Sequence, residues 1–110
     1  MSTPELTTIQ LAHGWGDPPR AGQTVTVHYS GFLADGTLFD SSVDRGEPFA
    51  FVLGAGQVIQ GWDLVLARMC VGERLKVIIP AELAYGPTGY PGVIPPNAQL
   101  TFDVHLIGIQ

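Results

Sequence analysis

The chain is predicted to adopt an α+β fold, a curved antiparallel sheet of about five strands with one short helix packed across one face. Three observations lead there. Apolar residues alternate with period two over residues 24–32, 74–80 and 100–109, as in strands with one buried face. A single segment, beginning near Gln60, repeats its apolar residues at helical spacing. Fourteen glycines and nine prolines among 110 residues imply many turns, the composition of a β-rich chain.

The elements follow in order. Residues 5–11 alternate weakly through Leu6, Ile9 and Leu11 and form a candidate first strand. Residues 13–22 hold Gly14, Gly16, Pro18, Pro19 and Gly22 and read as loop. Within it Trp15 is expected to lay its ring on the sheet surface. Over residues 24–32, Val25, Val27 and Tyr29 share the inner face, with Thr26, His28 and Ser30 opposite. Asp35-Gly36 is a strong hairpin signal, so the chain returns through Leu38, Phe39 and Asp40. Gly46-Glu47-Pro48 bends it into a short strand at 49–53. The helix from Gln60 places Trp62, Leu66 and Met69 on its core face, at i, i+4 and i+7. Beyond the Val71-Gly72 turn, Leu75, Val77 and Ile79 point inward. Residues 81–96 carry four prolines and three glycines, and so long a loop in a compact domain is usually functional. The final strand turns Leu100, Phe102, Val104 and Leu106 one way.

Length and composition narrow the function. The length suits one domain over residues 1–110, and no apolar run approaches the roughly 18 residues of a membrane span. The formal charge of −5 and five scattered cations (Arg20, Arg45, Arg68, Arg74, Lys76) argue against nucleic-acid binding. Met1–Leu6 shows neither the basic nor the apolar region of a signal peptide. The single cysteine, Cys70, excludes an internal disulfide and fits a reducing cytoplasm.

Conventional chemistry finds little support. His28 and His105 occupy outward strand positions, His13 lies in a loop, and no carboxylate or cysteine completes a metal-binding spacing. No metal or other cofactor is expected. Cys70 has no histidine or asparagine partner nearby and reads as a small buried residue. The glycines of 54–62 are spaced Gly-x-Gly-x-x-x-x-Gly, which matches neither the dinucleotide fingerprint nor the phosphate loop. That stretch instead joins a glycine-rich turn, where backbone can approach a ligand, to Val58, Ile59 and the flat apolar surface of Trp62. Asp40, beside Phe39 in a hydrophobic strand, needs hydrogen-bond or ion-pair partners, and Tyr29 and Arg45 are available. A fixed polar group in an aromatic cavity is the general design of a small-ligand pocket.

Read together, these segments resemble the FKBP-type peptidyl-prolyl cis-trans isomerases, the tacrolimus- and rapamycin-binding immunophilins. The matching motifs run in family order: Val27-His28-Tyr29-Ser30-Gly31, Phe39-Asp40-Ser41-Ser42, Pro48-Phe49-Ala50-Phe51 and the Val58-Ile59-Gln60-Gly61-Trp62 ending of the glycine-rich stretch. They continue through Met69-Cys70-Val71-Gly72-Glu73-Arg74, Ala84-Tyr85-Gly86, residues 89–98 and residues 100–104, so the likeness covers about 5–109. It implies a twisted antiparallel half-barrel around one short helix. It also implies a hydrophobic pocket lined by Tyr29, Phe39, Asp40, Phe49, Val58, Ile59, Trp62, Tyr85 and Phe102, floored by Trp62, with Arg45 and Tyr29 holding Asp40. A flap over 84–96 would carry Tyr85, Tyr90 and Ile94. The implied activity is isomerisation of Xaa-Pro bonds, with proline-containing peptides and macrolides as partners. The Ile59 N–H and Tyr85 hydroxyl would bond ligand carbonyls, and Asp40 would stand near the carbonyl carbon.

Three departures from the family pattern matter. Leu64 and Val65 are apolar where solvent-facing residues are usual, so one of them is expected to tuck against a neighbouring loop, and Trp15 fills a turn usually given to a small or polar residue. Tyr90 stands at the flap tip and is expected to alter preference for the residue before proline. The first two departures leave open a non-catalytic protein-binding module, using the pocket or an apolar surface at Trp15, Leu64 and Val65. Chaperone activity ranks lower because the segment between Phe51 and Leu75 is too short to hold a substrate-binding insertion. A monomer is the default expectation.

Overall fold

The computed structural model describes residues 6–110. Six antiparallel strands form one open sheet: β1 (Thr7–Ala12), β2 (Thr24–Leu33), β3 (Leu38–Ser41), β4 (Phe49–Val52), β5 (Arg74–Ile79) and β6 (Leu100–Ile109). The order is β1-β5-β6-β2-β3, with β4 also pairing β2. β3 and β4 share a single edge of β2, β3 opposite Ser30–Phe32 and β4 opposite Thr24–Val27, so the sheet is five strands across, in keeping with the expected count of about five.

Between β3 and β4 the chain makes a four-residue helix, α1 (Ser42–Arg45), which the sequence reading passed over. Its signals were local. The Ser41 side chain caps it by accepting from the Asp44 N–H at 3.2 Å, and Gly46 closes it in a left-handed conformation, φ 70°.

The second helix, α2 (Gln60–Leu66), lies against the inner face of the sheet. Seven residues are too few for a helix to stand alone in water, so burial holds it. Trp62, Leu66 and, just beyond, Met69 meet the inward residues of β2, β5 and β6, as the alternation required. Each such side chain contributes about 1.5–3 kcal/mol when fully buried. Gly61 permits the contact: a Cβ there would stand 2.7 Å from Ile79 Cγ2.

Of the two apolar helix residues one packs, as expected, though into the core and not against a loop: Val65 is 5% exposed and Leu64 41%, because a helix cradled by a curved sheet is covered on more than one stripe. Two surface expectations are corrected. Cys70 is partly exposed instead of buried, its N–H bound to Glu73 Oε1 at 3.0 Å. His28 is half-buried, with Nδ1 2.9 Å from the Ser42 hydroxyl. Trp15 does lie on backbone, its ring over Gly72, and its N–H bonds the Val71 carbonyl at 3.1 Å. Even so it is 71% exposed.

Candidate functional site

β2 carries the first wall. Alternation turns Tyr29 inward, and the register sets Tyr29 against Val104 and Gly31 against both Phe102 and Asp40. Gly31 is needed there: a Cβ would meet Phe39 Cζ at 2.7 Å and Phe102 Cε1 at 2.8 Å. Its absence lets those two rings meet edge to face, centroids 5.6 Å apart.

The rings converge on Trp62. Its centroid lies 4.8 Å from Tyr29, 5.2 Å from Phe102, 5.9 Å from Phe51 and 6.1 Å from Phe49. The indole N–H is buried without a hydrogen-bond partner.

Above this floor is a shallow cavity of about 160 Å³, lined by Tyr29, Phe39, Asp40, Phe49, Gln57, Val58, Ile59, Trp62, Tyr85 and Phe102. The nine residues expected to line it are thus together. Gln57 is the addition; a polar residue in a glycine-rich turn reads as solvent-facing, and nothing in the pattern marked it. Tyr90 and Ile94 stand apart from this cavity. With Val93 they line a neighbouring one that shares Phe39, Asp40 and Tyr85. Tyr90 bonds Ile94 through the backbone at both ends and meets Tyr85 edge to face, centroids 5.9 Å apart.

Polar groups are placed by the elements around α1. The Tyr29 hydroxyl donates to Asp40 Oδ2 and Arg45 Nη1 donates to Oδ1. Arg45 Nη2 also donates to the Tyr29 hydroxyl at 3.2 Å, with its guanidinium 5.8 Å over that ring. Ser42, wholly buried, accepts from the Tyr29 N–H at 2.8 Å and so ties the start of α1 to β2. Burial pushes the Asp40 pKa up, but the bonds from Tyr29 and Arg45 and the charge of Arg45 outweigh it and hold the carboxyl below its usual range. Tyr29 is pushed above the usual tyrosine value by burial and by Asp40. Tyr85 is raised by burial and then by the charge of Asp40. Both phenols therefore stay protonated donors. The Tyr85 hydroxyl and the Ile59 N–H make no hydrogen bond to protein among the described residues.

The geometry offers a shallow aromatic slot, two unengaged donors at its rim and an ionised carboxylate held in place. Among the described residues that line it no nucleophile is set against a base; the Ser42 hydroxyl beside His28 Nδ1 is buried outside the slot. An apolar surface joining Trp15, Leu64 and Val65 is not formed: Val65 is buried, and the groove beside Leu64 is lined by Leu6, Thr8, Gln10, Val65, Arg68, Glu73 and Leu75, without Trp15. No helix among the described residues is long and apolar enough to cross a membrane.

Known proteins match this sequence. Residues 16–107 match the family described as FKBP-type peptidyl-prolyl cis-trans isomerase. The chain is 53% identical over 103 residues to peptidyl-prolyl cis-trans isomerase Fkbp12 of Drosophila melanogaster, covering 93% of this chain and 95% of that protein. It is 53% identical over 92 residues to FK506-binding protein 1 of Saccharomyces cerevisiae, covering 84% and 81%. Against a peptidyl-prolyl cis-trans isomerase of Schizosaccharomyces pombe the identity is 50% over 94 residues, covering 86% and 84%. With the match spanning most of its length and the aromatic slot intact, the chain belongs to the FKBP-type peptidyl-prolyl cis-trans isomerase family.

Proposed function

We propose that the Trp62-floored cavity is where this isomerase turns Xaa-Pro peptide bonds, with the prolyl ring on the indole between Tyr29, Phe49 and Phe102. The observation that carries the reading is one cavity combining this floor with two free donors, the Ile59 N–H and the Tyr85 hydroxyl. A prolyl bond rotates over a barrier of roughly 18–20 kcal/mol set by amide resonance, and uncatalysed it takes tens of seconds or more. The planar amide is the more polar state, so moving its carbonyl out of water into an apolar slot disfavours it relative to the twisted state. Val58, Phe39 and the surrounding rings exclude that water. The free donors hold the flanking carbonyls and keep the peptide oriented. Asp40, kept ionised by Tyr29 and Arg45, presents fixed negative charge near the carbonyl carbon without reorganising during rotation. Each tenfold of acceleration requires about 1.4 kcal/mol of such differential stabilisation.

One of these relatives, that of Saccharomyces cerevisiae, is named for binding FK506, which supports macrolide binding, tacrolimus and rapamycin alike, in the same slot. The remaining assignments are a monomer assisting the folding of proline-containing proteins in the cytoplasm, consistent with one unpaired cysteine. The test is a prolyl-isomerisation assay on a Leu-Pro peptide with and without rapamycin. Turnover that rapamycin abolishes is expected. Binding of the drug with no turnover would move the protein to the class of recognition modules.

A further inference from the structure

We propose that Gln57 is a further substrate-binding residue of this site: its side-chain oxygen clamps the pocket rim while its nitrogen donates to a backbone carbonyl of the bound peptide. The inference rests on the cavity being the isomerisation site. Gln57 lines that cavity next to Val58 and Ile59. Its Oε1 accepts from the Val52 N–H at 2.9 Å. Because the backbone partner is a donor, this bond decides which end of the amide is which: oxygen toward β4, nitrogen away from it. The two Nε2 hydrogens find no protein acceptor among the described residues.

The clamp matters because the turn has few other ties. Gly54 and Gly56 hold φ of 79° and 71°, conformations closed to most side chains. At the far end the Gly54 N–H bonds Asp63 Oδ1 at 2.9 Å. The two side-chain bonds thus fix the turn from both ends, and Val58 and Ile59 follow it directly. Where the Ile59 N–H stands is therefore set in part by Gln57.

The chemistry of the acceptor follows from what the pocket takes. Once a prolyl ring occupies the slot, the peptide on either side runs over the rim, and its carbonyls lose water and need donors. Asp40 and Tyr29 are committed to each other and to Arg45. The Gln57 amide, exposed at the rim, supplies an additional neutral donor beside Ile59.

The test compares wild type, Gln57→Glu and Gln57→Ala on uncharged Xaa-Pro peptides. Glutamate keeps an oxygen for the Val52 N–H and removes both donors. Its KM should rise about three- to tenfold, the loss of one exposed hydrogen bond, with kcat changed less than about twofold. Gln57→Ala also loses the clamp, so its kcat should fall as well. In peptides whose flanking carbonyls are replaced singly by methylene, the Gln57→Glu penalty should vanish at one position and persist at the others. A wild-type KM in Gln57→Glu, or a penalty indifferent to every replacement, overturns the proposal. A wild-type protein that turns over no Xaa-Pro peptide overturns instead the reading of the cavity beneath it.

Discussion

The Tyr29 hydroxyl and the Arg45 guanidinium take opposite oxygens of Asp40, and they are themselves bonded to each other at 3.2 Å. This closed triangle spans β2, β3 and α1. It accounts for an ionised carboxylate at the lip of an aromatic pocket. A carboxyl whose pKa is depressed on folding contributes stability above its unfolded value and loses it as pH falls through the folded one. The ordinary aspartate value is about 3.9, so kcat/KM should show no inflection from Asp40 between about pH 5 and 8. A break in that interval that disappears in Asp40→Asn would contradict the assignment.

Arg45→Ala should let the Asp40 pKa rise and free its carboxylate to rotate. We expect kcat/KM to drop about three- to tenfold with little change in the urea midpoint, since Arg45 is solvent-facing. Tyr29→Phe should cost more stability than Arg45→Ala, because it leaves Asp40 missing its more buried partner. Equal midpoints for the two variants would count against the triangle.

Gly31→Ala tests the wall. The added methyl must displace Phe39 or Phe102, and overpacking of this kind costs about 1–3 kcal/mol. Isomerase activity should fall by more than stability alone explains, with rapamycin affinity falling in parallel. Retention of full affinity would mean that the ring pair is not part of the binding surface.

Trp62 is floor and core at once. Trp62→Ala should cost about 3–5 kcal/mol in denaturant unfolding. Trp62→Phe should cost less, because it also removes a buried N–H that has no partner. Fluorescence offers a direct check: in a Trp15→Phe background the remaining indole is buried, so its emission should be blue-shifted and should respond to ligand in the slot.

Substrate preference should follow the aromatic surroundings. Leu-Pro and Phe-Pro peptides should outperform Glu-Pro, by about tenfold if one unpaired charge must leave water. Tyr90→Ala should narrow or reorder that preference without abolishing turnover, since Tyr90 lines the adjoining cavity and not the slot. Equal rates for Glu-Pro and Leu-Pro would contradict the premise.

The strands were legible because one face of each is buried: Val25, Val27 and Tyr29, or Leu100 through Leu106, can alternate only one way if the core is to close. Trp62, Leu66 and Met69 were legible for the same reason at helical spacing. Which of Leu64 and Val65 packs was not, since periodicity reports one stripe while the curved sheet covers two. The α1 helix was lost because four residues carry no period, only a cap at Ser41 and a stop at Gly46. Gln57 was hidden by its neighbours; its clamp depends on Val52, five residues away, whose N–H donates into the turn. Tyr29, Asp40 and Arg45 could be grouped from the cost of burying a carboxylate, but which oxygen each partner takes is a matter of three-dimensional placement.

The order of strands in space also bears on how the protein is made. β6 is the farthest along the sequence, yet it lies between β5 and β2, and it brings Phe102 to the slot. A ribosome that has released residues up to about 99 presents two long strands with open edges and no wall between them. Pairing must wait for that segment, and such non-local closure is slow and leaves sticky intermediates. The pocket is thus incomplete until β6 has been made, and truncation before β6 should yield aggregation-prone product with no residual drug binding.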